Sequence, residues 1–484
     1  MNQTPSIASI QSFLLRGVEA VPVTIECQVS PGLGIHLVGE PDAFVKESLL
    51  RTITAMQACG YRIPGKKIVV KICHAGVGKP HSALRGYPGL DLPLALVILA
   101  ATGQIRNRPE KEGIFRYEHI VAGELGLDGS VRDVPGAFAA SETTVGQMIL
   151  PEASALRVKD PETGLPFPVV YKATSLKDAV RILEGDGEDL FVSLETAVEP
   201  AAKEAPILVT DSEIRAVEIA ALGGFDLAIV GPEGSVLDGP ARLLSRLLNP
   251  YNKDKVAVYD AVSRRAPAAA PLRIPHPSAS FQSMLGGGPQ VMPGEVTLAH
   301  GGVLVLQDIH DWPKSLVEAV GRIHEDGEVK IARLGDHVTM PAGFRLAVTM
   351  RGDLPADEKV SRLLGVFPFV QVLHTSAVRE VTEDEIKAMR RRIDNAWRHL
   401  AVHPASIPSR EIPLPDPDGC EADRLAEKLI EVFGLSARDW SMIYRLALTI
   451  AALDGKDCPY DNAAVGEAAS YLATRKGATK ENAA

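Results

Sequence analysis

The sequence predicts an α/β protein in three parts, on three observations. Strand and helix signals alternate over residues 1–185 and again over 207–375, the pattern of mostly parallel sheets. An acidic, then Ala/Pro/Glu-rich stretch at 186–206 cannot bury a core and reads as a linker. From 376 to 484 only helical periodicity is present.

The elements follow in order. Val21–Val29 alternates apolar and polar residues, as a half-buried strand does, and a second short strand follows Gly32. Asp42–Cys59 repeats apolar residues at helical spacing and stops at Gly60. Lys67–Cys73 is a strand, Leu92–Ala101 an apolar helix, Glu118–Glu124 and Gln147–Leu150 strands, and Leu176–Leu183 a helix. In the second part, strands are predicted at Asp226–Val230, Gly302–Leu306 and Arg345–Thr349, with helices at Val236–Leu248 and Ser315–His324. In the third, Thr382 and Glu385 form a capping box heading a helix at Glu383–Leu400. A Pro-rich connection, Pro404–Pro417, leads to helices near Glu421–Phe433 and Ala437–Leu453.

Residues 226–240, DLAIVGPEGSVLDGP, are the most informative segment. A buried-type strand, a Gly-Pro-Glu-Gly loop and a helix form the layout of a phosphate-binding loop, where backbone N–H groups and a helix N-terminus converge on an anion. The working motif is G-x-x-x-x-G-K-[ST], its Lys on the β/γ-phosphates and its hydroxyl on Mg²⁺. Here Gly231, Pro232, Glu233, Gly234 and Ser235 keep the loop, while Val236, Leu237 and Asp238 stand where Gly, Lys and Ser/Thr belong. An Asp there, with no Lys, repels polyphosphate. The scaffold is present and its chemistry is not.

Composition bounds the rest. The 484 residues carry a net charge of −10, which argues against a uniformly basic nucleic-acid binder. Cys27, Cys59, Cys73, Cys420 and Cys458 are scattered without a C-x-x-C pair, so they read as reduced thiols of a cytoplasmic protein. No Cys/His spacing suggests a metal site. The N-terminus lacks a basic, apolar leader and no 18-residue apolar run follows, so neither a signal peptide nor a membrane span is expected.

Several ordered blocks resemble the ComM/YifB-type, magnesium-chelatase-like AAA+ family. They are SPGLGIHLVGEPDAFVKES (30–48), GLDLPLALVILAATGQI (89–105), AGELGLDGSVRDVPG (122–136), PHPSAS (275–280), GGGPQVMPGEVTLAHGGVLVL (286–306), EDGEVKIAR (325–333) and LSARDWSMIYRLALTIAAL (435–453). The resemblance implies an N-terminal domain of the ribosomal-protein-S5-like, Lon-protease-like fold, an AAA+ core of the P-loop type with a parallel sheet, and a helical lid. It also implies hexameric rings acting on DNA, with ATP and Mg²⁺, in branch migration.

Under that resemblance the hydrolytic positions depart together. The Walker B pair aligns with Gln307 and Asp308, the polar sensor with Arg351, and the arginine finger with Val366. A Walker B site needs one carboxylate for Mg²⁺ and one to polarise water, and Gln307 is neutral. The family's Cys-rich insertion is missing, and of the set only Arg438, in a sensor-2-like SAR motif, is kept. A Lon-type Ser–Lys dyad would need a Ser just before Asp91, where the chain reads Gly86-Tyr-Pro-Gly89 with Ser82 outside the loop. His276 with Ser278 and Ser280 lacks a carboxylate at triad spacing.

Two basic stretches are nucleic-acid candidates: Lys66, Lys67, Lys71, His74, Lys79, His81 and Arg85, and Arg390, Arg391, Arg392 and Arg398 with Trp397. The expected function is a non-hydrolysing member of the family, a binding or assembly module associated with DNA or with a ring of its own or active relatives. The alternative is a helicase or branch-migration ATPase with unconventional motifs. Neither ATP nor Mg²⁺ is expected as a cofactor.

Overall fold

A computed structural model describes residues 6–38, 43–74, 87–106, 119–144, 146–158, 169–192, 205–249, 253–264, 266–267, 269–333, 336–351, 369–373, 378–400, 421–433, 437–456 and 461–480. Its first part is a seven-stranded sheet in the order 35–38, 67–74, 19–30, 6–16, 119–121, 147–151, 169–173. Strands Ser6–Arg16 and Glu19–Ser30 form an antiparallel ribbon turned at Gly17, whose φ of +64° suits glycine. Val23, Ile25, Cys27 and Val29 point into the core while Glu26 stays outside, so the period-two pattern decides which face is buried. Helix Asp91–Ala101 is buried nearly all round, as its unbroken apolar sequence requires.

The second part is a five-stranded parallel sheet in the order 272–273, 303–306, 345–351, 226–231, 369–373. Strands Asp226–Gly231 and Val303–Leu306 are buried along their whole length, because both faces of the sheet are covered. Ala228, Val230, Leu304 and Leu306 lie in one apolar interior with Val258, Leu316, Val317 and Val320 of the core's own helices; Leu227, Ile229, Val303 and Val305 lie in another with helices Asp211–Gly223 and Gly239–Leu247 and the C-terminal helices. One apolar interior thus runs from the first sheet onto one face of the core sheet, and a second runs from the other face into helices Glu383–Leu400, Ala437–Leu453 and Asn462–Lys480. The ribbon turn closes on the core hairpin Glu328–Arg333/Asp336–Pro341: a Cβ at Gly17 would lie 2.6 Å from Val338 Cγ1.

Several expectations need correction. The helix after the loop is Gly239–Leu247 and starts three residues later than Val236. Strand Ser6–Arg16 and helix Asn462–Lys480 were not expected at all. No helix among the described residues is long and apolar enough to cross a membrane.

Candidate functional site

Three parallel strands end side by side at the carboxyl edge of the core sheet, where open α/β sheets place their ligands. Gly231 is the register partner of Arg351, and Leu306 of Val348. The loop 231–238, the Gln307-Asp308 turn and Arg351 therefore meet at one edge, as their sequence positions predict.

The loop is folded in on itself. Gly234 takes φ +82°, a conformation glycine adopts freely, and the Ser235 amide donates to Pro232 O at 3.2 Å. Leu237 is buried, 4 % exposed, in the interior shared with the C-terminal helices. Val236 is 70 % exposed, so only one of this adjacent pair packs inward. The helix opens Gly239-Pro240, and Pro240 has no N–H to offer an anion. Packing requires glycine before it: a Cβ at Gly239 would stand 2.0 Å from Leu208 O. Asp238 Oδ2 accepts from Arg242 Nε at 2.7 Å, one helical turn on.

The Walker B position is equally committed. Asp308 adopts φ +48°, one of two positive-φ residues other than glycine among those described. Its N–H donates to Thr349 Oγ1 at 2.9 Å, and Trp312 Nε1 donates to Gln307 O at 2.8 Å, so the turn is held from both sides. Arg351 Nε stands 3.3 Å from Asp308 Oδ1. The acid that would polarise water faces a guanidinium instead.

These residues do not fit ATP–Mg²⁺. The Lys position is a core leucine, the hydroxyl position is a carboxylate paired to Arg242, and the Walker B acid faces Arg351. Among the described residues no group of three or more His, Cys, Asp or Glu could hold a metal ion. Val366, Lys79, His81, Ser82 and Arg85 lie outside the described residues, as do the side chains of His74, Arg398 and Arg438.

The other candidates sort by their partners. Lys66, Lys67 and Lys71 are exposed, and Lys71 sits opposite Glu26 in the sheet register. In the second basic stretch, Arg390 Nε donates to Arg246 O at 2.7 Å and Arg392 pairs with Glu218, so both fasten their helix to the core. His276 Nδ1 accepts from the Ser278 amide at 3.2 Å, and His300 Nδ1 from the Gly343 amide at 3.0 Å; both brace turns. Cys27 is a buried thiol, pushed up to about 12 by burial, and Cys59 and Cys73 are free.

Two buried clusters were missed. Arg157 joins Asp133 and Asp260, and Asp91 accepts from Ser48, Arg51 and the Leu125 amide. Asp133 and Asp91 both fall inside blocks quoted above; single carboxylates in apolar surroundings were the signal available.

A parallel five-stranded sheet with a glycine-containing loop after an interior strand and a helical layer beyond it defines an AAA+ core of the P-loop type. Residues 206–355 match the family model described as magnesium chelatase, subunit ChlI, and residues 25–154 match that of subunit ChlI of Mg-chelatase. The chain belongs to the ComM/YifB-type, magnesium-chelatase-like family. It is 30% identical over 359 residues to the uncharacterized protein YifB of Salmonella typhimurium, covering 71% of this chain and 68% of that one. It is 28% identical over 508 residues to competence protein ComM of Haemophilus influenzae, covering 93% and 94%. An uncharacterized protein of Mycobacterium tuberculosis is 30% identical over 358 residues, covering 70% and 67%.

Proposed function

We propose that this chain is a non-hydrolysing member of its family, acting as a binding or assembly module. The observation that carries this is the burial of Leu237, the residue at the lysine position, in the interior shared with the C-terminal helices. A phosphate-binding loop needs a cation there, and this chain uses the position for packing. The ion pairs of Asp238 with Arg242 and of Asp308 with Arg351 support the same reading. Association with DNA through Lys66, Lys67 and Lys71, and with a ring of its own copies or of an active relative, belongs to this proposal. The exposure of those lysines is what favours DNA.

Calorimetry with ATP–Mg²⁺ and an ADP control tests the reading directly: neither nucleotide binds. A DNA-stimulated turnover of about 1 s⁻¹ or more, the low end of ordinary enzyme rates, that is lost in Asp308→Ala would establish the ATPase alternative.

A further inference from the structure

We infer that Arg351 and Arg242 are resident counter-cations that close the carboxyl edge of the core sheet to divalent metal ions. This rests on the non-hydrolysing reading and adds what fills the charge at that edge.

The argument begins with Asp308. A carboxylate at a strand end, free to turn, would find a solvent counter-ion. This one is fixed by a left-handed backbone, by the Thr349 hydroxyl on its amide and by Trp312 on the preceding carbonyl. Thr349 and Arg351 are two residues apart on strand Arg345–Arg351, so both side chains leave the same face of the sheet. One strand thus positions the acid through Thr349 and supplies its cation through Arg351, 3.3 Å away. The second pair repeats the device on a helix. Asp238 and Arg242 are four residues apart, joined through the side chains at 2.7 Å and through Arg242 N to Asp238 O at 2.9 Å.

Hard divalent cations need several oxygen ligands and a net negative site. Two guanidiniums, permanently charged, offset the carboxylates of Asp238 and Asp308 at this edge, while Glu233, the loop's third carboxylate, stands exposed in solvent. A variant without them presents Asp238 and Asp308 uncompensated.

The experiment titrates Mn²⁺ alone into the full chain, reading free Mn²⁺ by electron paramagnetic resonance. Wild type binds it no better than the general surface. Arg351→Asn combined with Arg242→Gln tightens binding roughly tenfold, the scale expected when like charge is removed from a partly exposed site. Arg351→Lys keeps the charge and stays closed. Thermal unfolding checks that each variant folds; Arg242→Gln alone, on a helix surface, serves if Arg351→Asn does not. Unchanged Mn²⁺ binding in a folded double variant overturns the inference while wild type still fails to hydrolyse ATP. ATP turnover by wild type instead overturns the reading beneath it.

Discussion

Arg157 Nε meets Asp260 Oδ1 at 2.5 Å across the junction between the first sheet's part of the chain and the core. Both side chains are buried. The same guanidinium holds both Asp133 oxygens at 2.9 Å and Val134 O at 2.7 Å. Asp260 Oδ2 accepts from the Phe138 amide at 2.8 Å, so a core residue satisfies the first turn of helix Ala137–Thr143 from outside. Burial pushes the Asp260 carboxyl up, against the pull of Arg157. Removing Asp260 leaves the buried guanidinium with one carboxylate, that of Asp133, and the Phe138 amide without its acceptor, so Asp260→Ala is expected to lower stability by about 3 kcal/mol. Urea unfolding followed by fluorescence checks this; a loss within experimental error would show that the junction does not depend on the cluster.

Lys255 gives a pH signature. Its ammonium is buried, donates to Pro267 O at 3.0 Å and is drawn down by burial to about 8, below the ordinary 10.5. Between those values the unfolded chain binds more protons than the folded one, so stability from this site rises with pH. The penalty is present in full below about pH 8 and gone above 10.5. The stability of wild type minus that of Lys255→Met should therefore grow by up to about 3 kcal/mol from pH 7.5 to 10.5. A flat difference across that range means that the ammonium is not desolvated.

Gly239→Ala separates helix propensity from packing. Alanine favours a helix by about 1 kcal/mol over glycine. At this position its Cβ would lie 2.0 Å from Leu208 O, a backbone atom that cannot swing aside. The expected result is a net destabilisation of about 1–3 kcal/mol. A rise in the melting temperature would show that the loop and strand Leu208–Val209 are not in contact.

Restoring the motif residues should not restore the chemistry. Leu237→Lys with Asp238→Thr removes a core side chain and the partner of Arg242, and a loss of about 2–5 kcal/mol follows from the leucine alone. Hydrolysis should stay at background, because Gln307 and Arg351 still stand at the metal and sensor positions. Steady-state phosphate release, with and without DNA, measures this; clear turnover would show that the loop alone was limiting.

For nucleic acid, Lys66→Glu, Lys67→Glu and Lys71→Glu together should abolish most duplex binding. Wild-type affinity should fall steeply between 50 and about 200 mM salt, as counterion release requires. Fluorescence anisotropy with a labelled duplex reads both. Equal binding by the triple variant leaves this an ordinary solvated face, on which Glu26 already opposes Lys71.

Most strand and helix positions were legible because their causes are local. Alternation at Val23, Ile25 and Cys27 and the continuous apolar run Val303–Leu306 each report one burial pattern. The loop's location was legible too, since Gly231 and Gly234 follow a buried strand. Its detail was not. Pro240 and Gly239 delay the helix, which moves Leu237 into the loop and inward while Val236 turns out. The pairing of Asp308 with Arg351 depends on strand order, which brings residues 43 positions apart to one edge. The Arg157 cluster depends on packing between parts of the chain that local pattern treats separately. The basic run at 390–392 misled for the opposite reason: composition reports charge, and only the fold reveals that Glu218 and Arg246 O already use it.

The core sheet is clad on both faces by helices, its own on one side and its own together with the C-terminal ones on the other. Cohesion therefore comes from side chains in the strand middles. At the strand ends, Leu237 alone of the loop's last three residues is buried; Val236 and Asp238 are not. Substitutions at the exposed strand ends therefore report on the site with less disturbance of the fold than substitutions in the strand middles.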